Sequence, residues 1–154
     1  MKQNHLAIPL IVVIVALWSG LITSSGLIWY RTIKLPSWTP SGTVIGIVWS
    51  IIFLLSAASA IIIWNKKARD QRFWIIILIF ILNALLNILW SNLFFGQGLI
   101  GLAAIEAIIL DLSVVALIVL MWPVSKLASL LLWPYAGWVT FAICLNYIIW
   151  LLNK

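Results

Sequence analysis

The sequence predicts an all-α integral membrane protein, a bundle of five transmembrane helices joined by short loops. Of its 154 residues, 66% are hydrophobic and only 8% are charged, whereas soluble domains have roughly 45–50% and about 25%. Polar and helix-breaking residues divide the chain into five apolar runs, each long enough to cross a bilayer core, which takes about 20 residues. The composition therefore excludes an ordinary soluble domain.

The five predicted spans belong to one domain over residues 1–154 and cover about 6–30, 43–64, 73–95, 99–122 and 127–152. The first ends before segment 31–42, whose prolines and glycine cannot continue a helix. Segment 65–72 is a polar turn, glycines loosen the chain at 96–101, and Pro123 begins the fourth connection. Because the connections are short, consecutive helices are expected to pack antiparallel.

The distribution of lysine and arginine predicts the orientation. The N-terminus and the second and fourth loops carry six basic residues, whereas the first and third loops and the C-terminus carry three. By the positive-inside rule the N-terminus is cytoplasmic and the first loop lies outside, in what we expect to be a bacterial cell membrane. One alternative stays open: the first span could be a cleaved signal peptide, with Lys2 before it and a cleavage site near 23–26.

Several function classes have little support in the sequence. The formal net charge of +6 fits membrane topology and lipid contact, and no basic run suits a nucleic acid. One cysteine, Cys144, and one histidine, His5, give no disulfide framework and no metal site. No Ser/His/Asp set and no phosphate-binding glycine loop is visible, so we expect no cofactor and no hydrolase or kinase chemistry.

Polar and aromatic residues mark the helix faces that point into the bundle, because an unpartnered amide or hydroxyl is costly in lipid. Helical spacing aligns such residues on the second, third and fifth spans, and Ser19 and Thr23 add to the first. In antiparallel order Trp49, Asn87, Trp90, Ala142 and Asn146 converge at one depth, and they predict a cavity in the half of the bundle next to the first loop. The aligned residues are Trp49, Phe53, Asn83, Asn87, Trp90, Phe94, Tyr135, Trp138, Ala142 and Asn146.

The eleven tryptophans divide into two groups. Seven lie near predicted helix ends, where aromatic belts form at the membrane surface: Trp29, Trp38, Trp64, Trp74, Trp122, Trp133 and Trp150. Trp49, Trp90 and Trp138 lie inside spans, where packing and ligand contact are equal alternatives, and Trp18 is unassigned. Asn87 could likewise tie two helices together by hydrogen bonding.

Glu106 and Asp111 are the only acidic residues within a span, and no basic residue of the same run can pair with them. They are five residues apart, about 140° around a helix, so they do not form a carboxylate dyad. Either could be protonated or hydrogen-bonded to a neighbouring helix, and a proton relay is a third alternative.

Three motifs then match a known family. Residues 29–40 read WYRTIKLPSWTP and lead to GIVW at 46–49, residues 86–96 read LNILWSNLFFG, and residues 134–147 read PYAGWVTFAICLNY. In order and spacing they resemble the translocator protein family, also called TspO/MBR, tryptophan-rich sensory protein or peripheral benzodiazepine receptor. The match spans 29–154, and the number of helices agrees.

The resemblance implies a membrane protein that binds tetrapyrroles such as protoporphyrin IX, drug ligands and, in some members, sterols, in a cavity capped by the first loop. Its role would be sensing, a stress response or transport. The alternatives are an enzyme for light-dependent porphyrin degradation, with Trp49 and Trp138 as catalytic residues, and a structural protein without a ligand. Porphyrin would be the ligand or substrate, and not a cofactor.

The site implied by the resemblance can be written in this chain's numbers. The family pocket corresponds to Tyr30, Pro40, Trp49, Phe53, Asn87, Trp90, Trp138 and Ala142. We add Trp38 of the loop motif and Asn146 of the fifth span, and we expect Arg31 and Lys34 to meet porphyrin propionates.

The chain departs from the family pattern at two places in the first loop. Leu35–Pro36 replaces a Lys-Pro pair, and Pro40–Ser41 replaces Pro-Pro. After Tyr147 the next basic residue is Lys154, which is too distant for the cholesterol-recognition pattern, so sterol binding is not supported. Gly42 and Gly46 have the Gly-x-x-x-Gly spacing found where two membrane helices dimerise, so a homodimer is an open alternative. The expected partners are therefore the lipid bilayer and a porphyrin or similar small molecule.

Overall fold

The computed structural model describes residues 4–66 and 68–154, with side chains from Leu6 onward; Lys2, Lys67 and the His5 side chain lie outside this part. It confirms an all-α fold, and within the described residues five helical segments are long and apolar enough to cross a membrane. The elements are α1 (Asn4–Tyr30), α2 (Gly42–Lys66), α3 (Gln71–Ser91) with a π-helical turn (Asn92–Gly96), α4 (Ile100–Met121), α5 (Lys126–Leu130) and α6 (Trp133–Asn153).

The fifth span is divided, although the sequence predicts one helix over 127–152. The short helix α5 ends at Leu130, and α6 begins at Trp133. Pro134, the second residue of α6, explains the break, because it has no N–H to donate to the Leu130 carbonyl and so cannot continue the hydrogen bonds of α5. The Ser125 hydroxyl begins α5 by accepting a hydrogen bond from Ala128 N at 3.3 Å.

The break determines how the helices close into a bundle. Helix α1 packs between α2 and α3, α3 packs on α4, and α4 packs on α6. Helix α5 closes the ring by packing on both α2 and α4, whereas the backbone of α2 hardly approaches that of α6. The two parts of the fifth span therefore contact different neighbours, and a gap is left between α2 and α6.

We call the end of the bundle where α2 ends and α3 begins the packed half. Its core includes Phe73, Leu117 and Met121, which are almost fully buried. Two hydroxyls hold α5 in place: Ser59 donates to the Ala128 carbonyl at 2.7 Å, and Ser129 of α5 donates to the α4 backbone at 2.8 Å. This half is filled by side chains and cross-linked by hydrogen bonds.

The opposite end, where α1 ends and α2 begins, is called the cavity half. There the π-helical turn carries two phenylalanines toward α1, and α1 meets it through Gly26, where a Cβ would overlap the Phe95 carbonyl. Gly98 follows in a left-handed conformation, with φ 66°, and its Cα lies against the Trp29 indole. Glycine is required at both positions, for close approach at the first and for backbone conformation at the second.

Candidate ligand-binding cavity

A cavity of about 510 Å³ lies in the cavity half, between α1, α2, α3 with its π-helical turn, and α6. This volume is within the range of small-molecule sites, roughly 300–1,000 Å³. Of the twelve residues predicted to bind a ligand, the structure brings eight to the cavity wall: Tyr30, Trp49, Phe53, Asn87, Trp90, Trp138, Ala142 and Asn146. Residues from four separate segments therefore surround one space.

The other four predicted residues belong to the first loop and are not part of the wall. Arg31 and Lys34 are exposed, and Pro40 is half-buried. Trp38 does not line the cavity but contacts its wall, because its ring packs edge-on against Phe141 with centroids 5.8 Å apart. The loop lies beside the cavity, and its two cations are at the surface.

Eight aromatic side chains line the cavity and give its wall several flat surfaces. Trp90 stacks on Phe94, with centroids 5.4 Å apart and ring planes at 14°. Trp138 packs on the wall residue Phe141 at 5.3 Å, and Trp49 packs on Phe53 at 5.7 Å. Such walls suit a flat, apolar ligand, which gains contact area and ring stacking together.

A chain of hydrogen bonds leads from the cavity wall into the bundle. The Ser19 hydroxyl donates to Asn87 Oδ1 at 3.4 Å, and the Asn87 amide donates to the Tyr135 hydroxyl at 3.3 Å. Tyr135 in turn donates to Asn83 Oδ1 at 3.1 Å, and the Asn83 amide donates to Ser113 Oγ at 2.8 Å. Asn87 thus ties helices together and also lines the cavity, so the two interpretations of this residue are compatible.

Sequence reasoning left the α1 wall out of the predicted site, although the spacing of Ser19 and Thr23 had placed them on an inward face. Six residues of α1 besides Tyr30 line the cavity: Ala16, Ser19, Gly20, Thr23, Ser24 and Leu27. Helix α1 carries few aromatic or amide residues, so its contribution is mainly small side chains. In the sequence, only the helical spacing of the Ser19 and Thr23 hydroxyls indicated that α1 faces the cavity.

The cavity has an opening between α1 and α2. Its border is formed by residues that line the cavity and are also exposed on the membrane-facing surface: Gly20, Ser24, Leu27, Gly42, Gly46 and Ser50. The three glycines have no atom near the position of a Cβ. Apart from Leu27 these residues are small, and they leave the cavity accessible from the side of the bundle.

Asn153, at the end of α6, holds the first loop. Its Nδ2 donates to the Lys34 carbonyl at 2.9 Å, and its Oδ1 accepts from Lys34 N at 2.9 Å. One amide side chain thus pairs with both backbone groups of Lys34. This tether joins the loop to the same helix that carries Trp138 and Asn146.

The two acidic residues of α4 differ. Asp111 accepts a hydrogen bond from the Thr140 hydroxyl of α6 at 3.0 Å, which agrees with one of the three alternatives for the acidic residues, a bond to a neighbouring helix. Glu106 is 5% exposed, and neither carboxyl oxygen has a hydrogen-bond partner within residues 4–66 and 68–154. Within the described residues, one oxygen of Asp111 therefore has a partner, whereas its Oδ1 and both carboxyl oxygens of Glu106 have none.

Comparison with known proteins agrees with this architecture. The model of the TspO/MBR family matches residues 7–151, which include part of α1. The tryptophan-rich protein TspO of Bacillus cereus is 34% identical over 126 residues, 81% of this chain and 80% of its own. The membrane protein YtaB of Bacillus subtilis is 35% identical over 155 residues, 97% of each chain. The human translocator protein is 29% identical over 133 residues, 86% of this chain and 79% of its own.

Proposed function

The chain belongs to the TspO/MBR family, and from this premise we propose that it is a membrane-embedded binding protein for planar apolar ligands, with a porphyrin such as protoporphyrin IX as the main candidate. Binding would serve sensing, a stress response or transport. The observation that carries the proposal is the cavity itself: three tryptophans from three helices, Trp49, Trp90 and Trp138, face one space.

Shape and chemistry support a porphyrin in this cavity. Phe53, Phe94 and Phe141 pack beside the three indoles and extend the apolar surface that a macrocycle would cover. A porphyrin also carries acidic propionates at one edge. Arg31 and Lys34 are exposed on the loop beside the cavity, where propionates reaching the membrane surface would meet positive charge.

Titration of the purified protein with protoporphyrin IX in the dark tests the proposal. Binding should quench tryptophan fluorescence saturably, at one porphyrin per chain, because a bound macrocycle would lie against several indoles. A variant that fills the space, Ala142→Trp, should abolish the quenching while the helical circular dichroism stays unchanged. Quenching without saturation, or equal quenching by the variant, would contradict a cavity-bound ligand.

A second candidate function is light-dependent degradation of the porphyrin. The observation that favours it is that Trp49 and Trp138 both line the cavity, and that Trp49 packs edge-on against Tyr135 at 5.9 Å. An indole beside a photoexcited macrocycle could exchange an electron or react with activated oxygen. Illumination separates the two functions: loss of more than one porphyrin equivalent per chain, only in light and only with Trp49 and Trp138 intact, supports the enzyme.

A further inference from the structure

We propose that Glu106, Trp90 and Asn146 form a polar subsite at the side of the cavity, and that this subsite binds a hydroxyl group of the ligand. The inference rests on the proposed function, because the cavity is the space from which a ligand would reach these residues. Two observations support the proposal. Polar atoms of these residues are buried without a partner in the described part of the chain, and the three residues lie at the same depth in the bundle.

The three residues have unused hydrogen-bonding capacity. Both carboxyl oxygens of Glu106, the indole Nε1 of Trp90 and the amide Nδ2 of Asn146 are buried, and within the described part of the chain they have no hydrogen-bond partner. Asn146 is only 3% exposed. Trp90 and Asn146 also line the cavity. Unpaired buried polar groups are destabilising, so each of them calls for a ligand, a water or a functional role.

The packing of α3 on α4 places Trp90 opposite Glu106. These helices are antiparallel, and the Asn83 amide of α3 donates to Ser113 Oγ of α4 at 2.8 Å. Trp90 follows Asn83 by two helical turns, and Glu106 precedes Ser113 by two turns. Residues two turns apart lie on the same face of a helix, so Trp90 and Glu106 face each other at one level.

The packing of α4 on α6 shows which residues of these two helices lie at the same level. Gly101 lies against the Trp150 indole, and Asp111 accepts from Thr140. The ten residues from Gly101 to Asp111 along α4 therefore run beside the ten residues from Trp150 back to Thr140 along α6.

Halfway between these two contacts, Glu106 of α4 is level with Leu145 of α6, the neighbour of Asn146. Trp90 and Leu145 belong to one hydrophobic cluster, which agrees with this level. Glu106, Trp90 and Asn146 therefore lie at one depth of the bundle, on three helices of which α4 packs on both α3 and α6.

The unused atoms match a hydroxyl group. A hydroxyl accepts up to two hydrogen bonds and donates one, and the subsite offers two N–H donors and a carboxyl that keeps an accepting oxygen in either protonation state. A ketone has no hydrogen to give to an ionised Glu106 carboxylate, and an ammonium group has no lone pair to accept from the N–H groups of Trp90 and Asn146. A carboxylate would place two acidic groups together without a cation. The complementary ligand is therefore a flat apolar molecule with a hydroxyl on its side.

The side chains must adjust to admit this group, since each of the unpaired atoms is covered by its neighbours. Rotation of the Asn146 amide and of the Glu106 carboxyl would turn these atoms toward the cavity. The same hydroxyl chemistry could come from a bound water, so the test must distinguish a ligand hydroxyl from water.

Two porphyrins make the test. Haematoporphyrin and mesoporphyrin carry the same propionates, but the first has hydroxyethyl groups where the second has ethyl groups. The readout is the ratio of the mesoporphyrin Kd to the haematoporphyrin Kd, measured in the dark by fluorescence quenching in one detergent. Partition into the micelle is the same for every variant, so a change in the ratio reports on the protein.

Trp90→Phe and Asn146→Leu should each lower this ratio about 3- to 10-fold, as expected for the loss of one hydrogen bond. Trp138→Phe is the matched control: it removes an indole from the wall outside the subsite, so both affinities should fall and the ratio should stay as in the unmodified protein.

Glu106→Leu adds a readout that a purely structural role would not produce. Removal of an unpartnered buried carboxyl should raise the Tm of the ligand-free protein, while the porphyrin ratio falls as in the other subsite variants. A lower Tm, or a ratio that none of the three subsite variants changes, would overturn the proposal and leave water as the occupant. Failure of both porphyrins to bind the unmodified protein would overturn the proposed function together with the subsite.

Discussion

In the packed half, the short helix α5 fills the space between α2 and α4, whereas in the cavity half α6 packs on α4 and its backbone stays apart from that of α2. Both halves are built from the same aliphatic and aromatic side chains. They differ in backbone path, because the break before Pro134 directs the two parts of the fifth span to different neighbours. An apolar composition is therefore compatible with a filled core and with a cavity, and helix geometry decides between them.

The largest effect on stability is expected from a substitution in the packed half. Phe73 is fully buried and packs edge-on against Trp64 at 5.4 Å, so Phe73→Ala should lower the free energy of unfolding by roughly 3–5 kcal/mol. Phe53→Ala, in the cavity half, should cost much less, because Phe53 already borders empty space. Thermal unfolding in detergent compares the two variants, and equal losses would show that the halves do not differ in packing.

A change in the cavity wall should affect binding more than stability. Trp138→Phe should weaken porphyrin binding about tenfold, since a smaller ring keeps the packing but loses indole stacking and its N–H. Trp133→Phe is the control, because Trp133 is exposed on the same helix. Porphyrin titration of both variants checks this expectation. Unchanged titration curves for Trp138→Phe would remove this residue from the site.

The loop tether should control how fast a ligand leaves. Asn153→Ala removes both hydrogen bonds to the Lys34 backbone, which should raise the dissociation rate about three- to tenfold with little change in Tm. Lys154→Ala, at the neighbouring exposed position, should leave the rate unchanged. Stopped-flow displacement of bound porphyrin measures both rates. Identical rates would show that the loop does not restrict the cavity.

The smallest effect is expected from the loop charges. Replacing Arg31 and Lys34 with alanine should lower the affinity for a dicarboxylic porphyrin by about two- to fivefold at low salt, and by less at high salt, because exposed charges interact weakly and are screened. The affinity for the dimethyl ester of the same porphyrin should not change. Equal losses for the acid and the ester would exclude a role for charge.

The sequence predicted the fold class and most of the cavity wall for a physical reason. Amides inside a span are costly in lipid unless they face the interior of the bundle, and helical periodicity then places Asn87, Trp90 and Trp138 on inward faces. The same rule explains what was missed. Glycines and alanines of α1 are compatible with lipid, with a helix contact or with a cavity, so their positions are determined only by the assembled bundle.

Two further features depended on tertiary structure. The proline of the fifth span is visible in the sequence, but whether Pro134 bends a helix or divides it depends on the packing of α5 against α2 and α4. The position of the first loop depends on Asn153, whose partner, Lys34, is far away in the chain. Periodicity within one helix contains no information about such contacts.

The opening between α1 and α2 has a consequence for how affinity should be expressed. A hydrophobic molecule dissolved in the bilayer would meet the small residues bordering this opening, such as Gly20 and Gly46, without returning to water. Its occupancy would then follow its mole fraction among the lipids and not its concentration in the buffer. Doubling the amount of lipid at constant total ligand would dilute the ligand in the membrane and lower the occupancy. Two laboratories using different lipid-to-protein ratios would report different dissociation constants for the same protein.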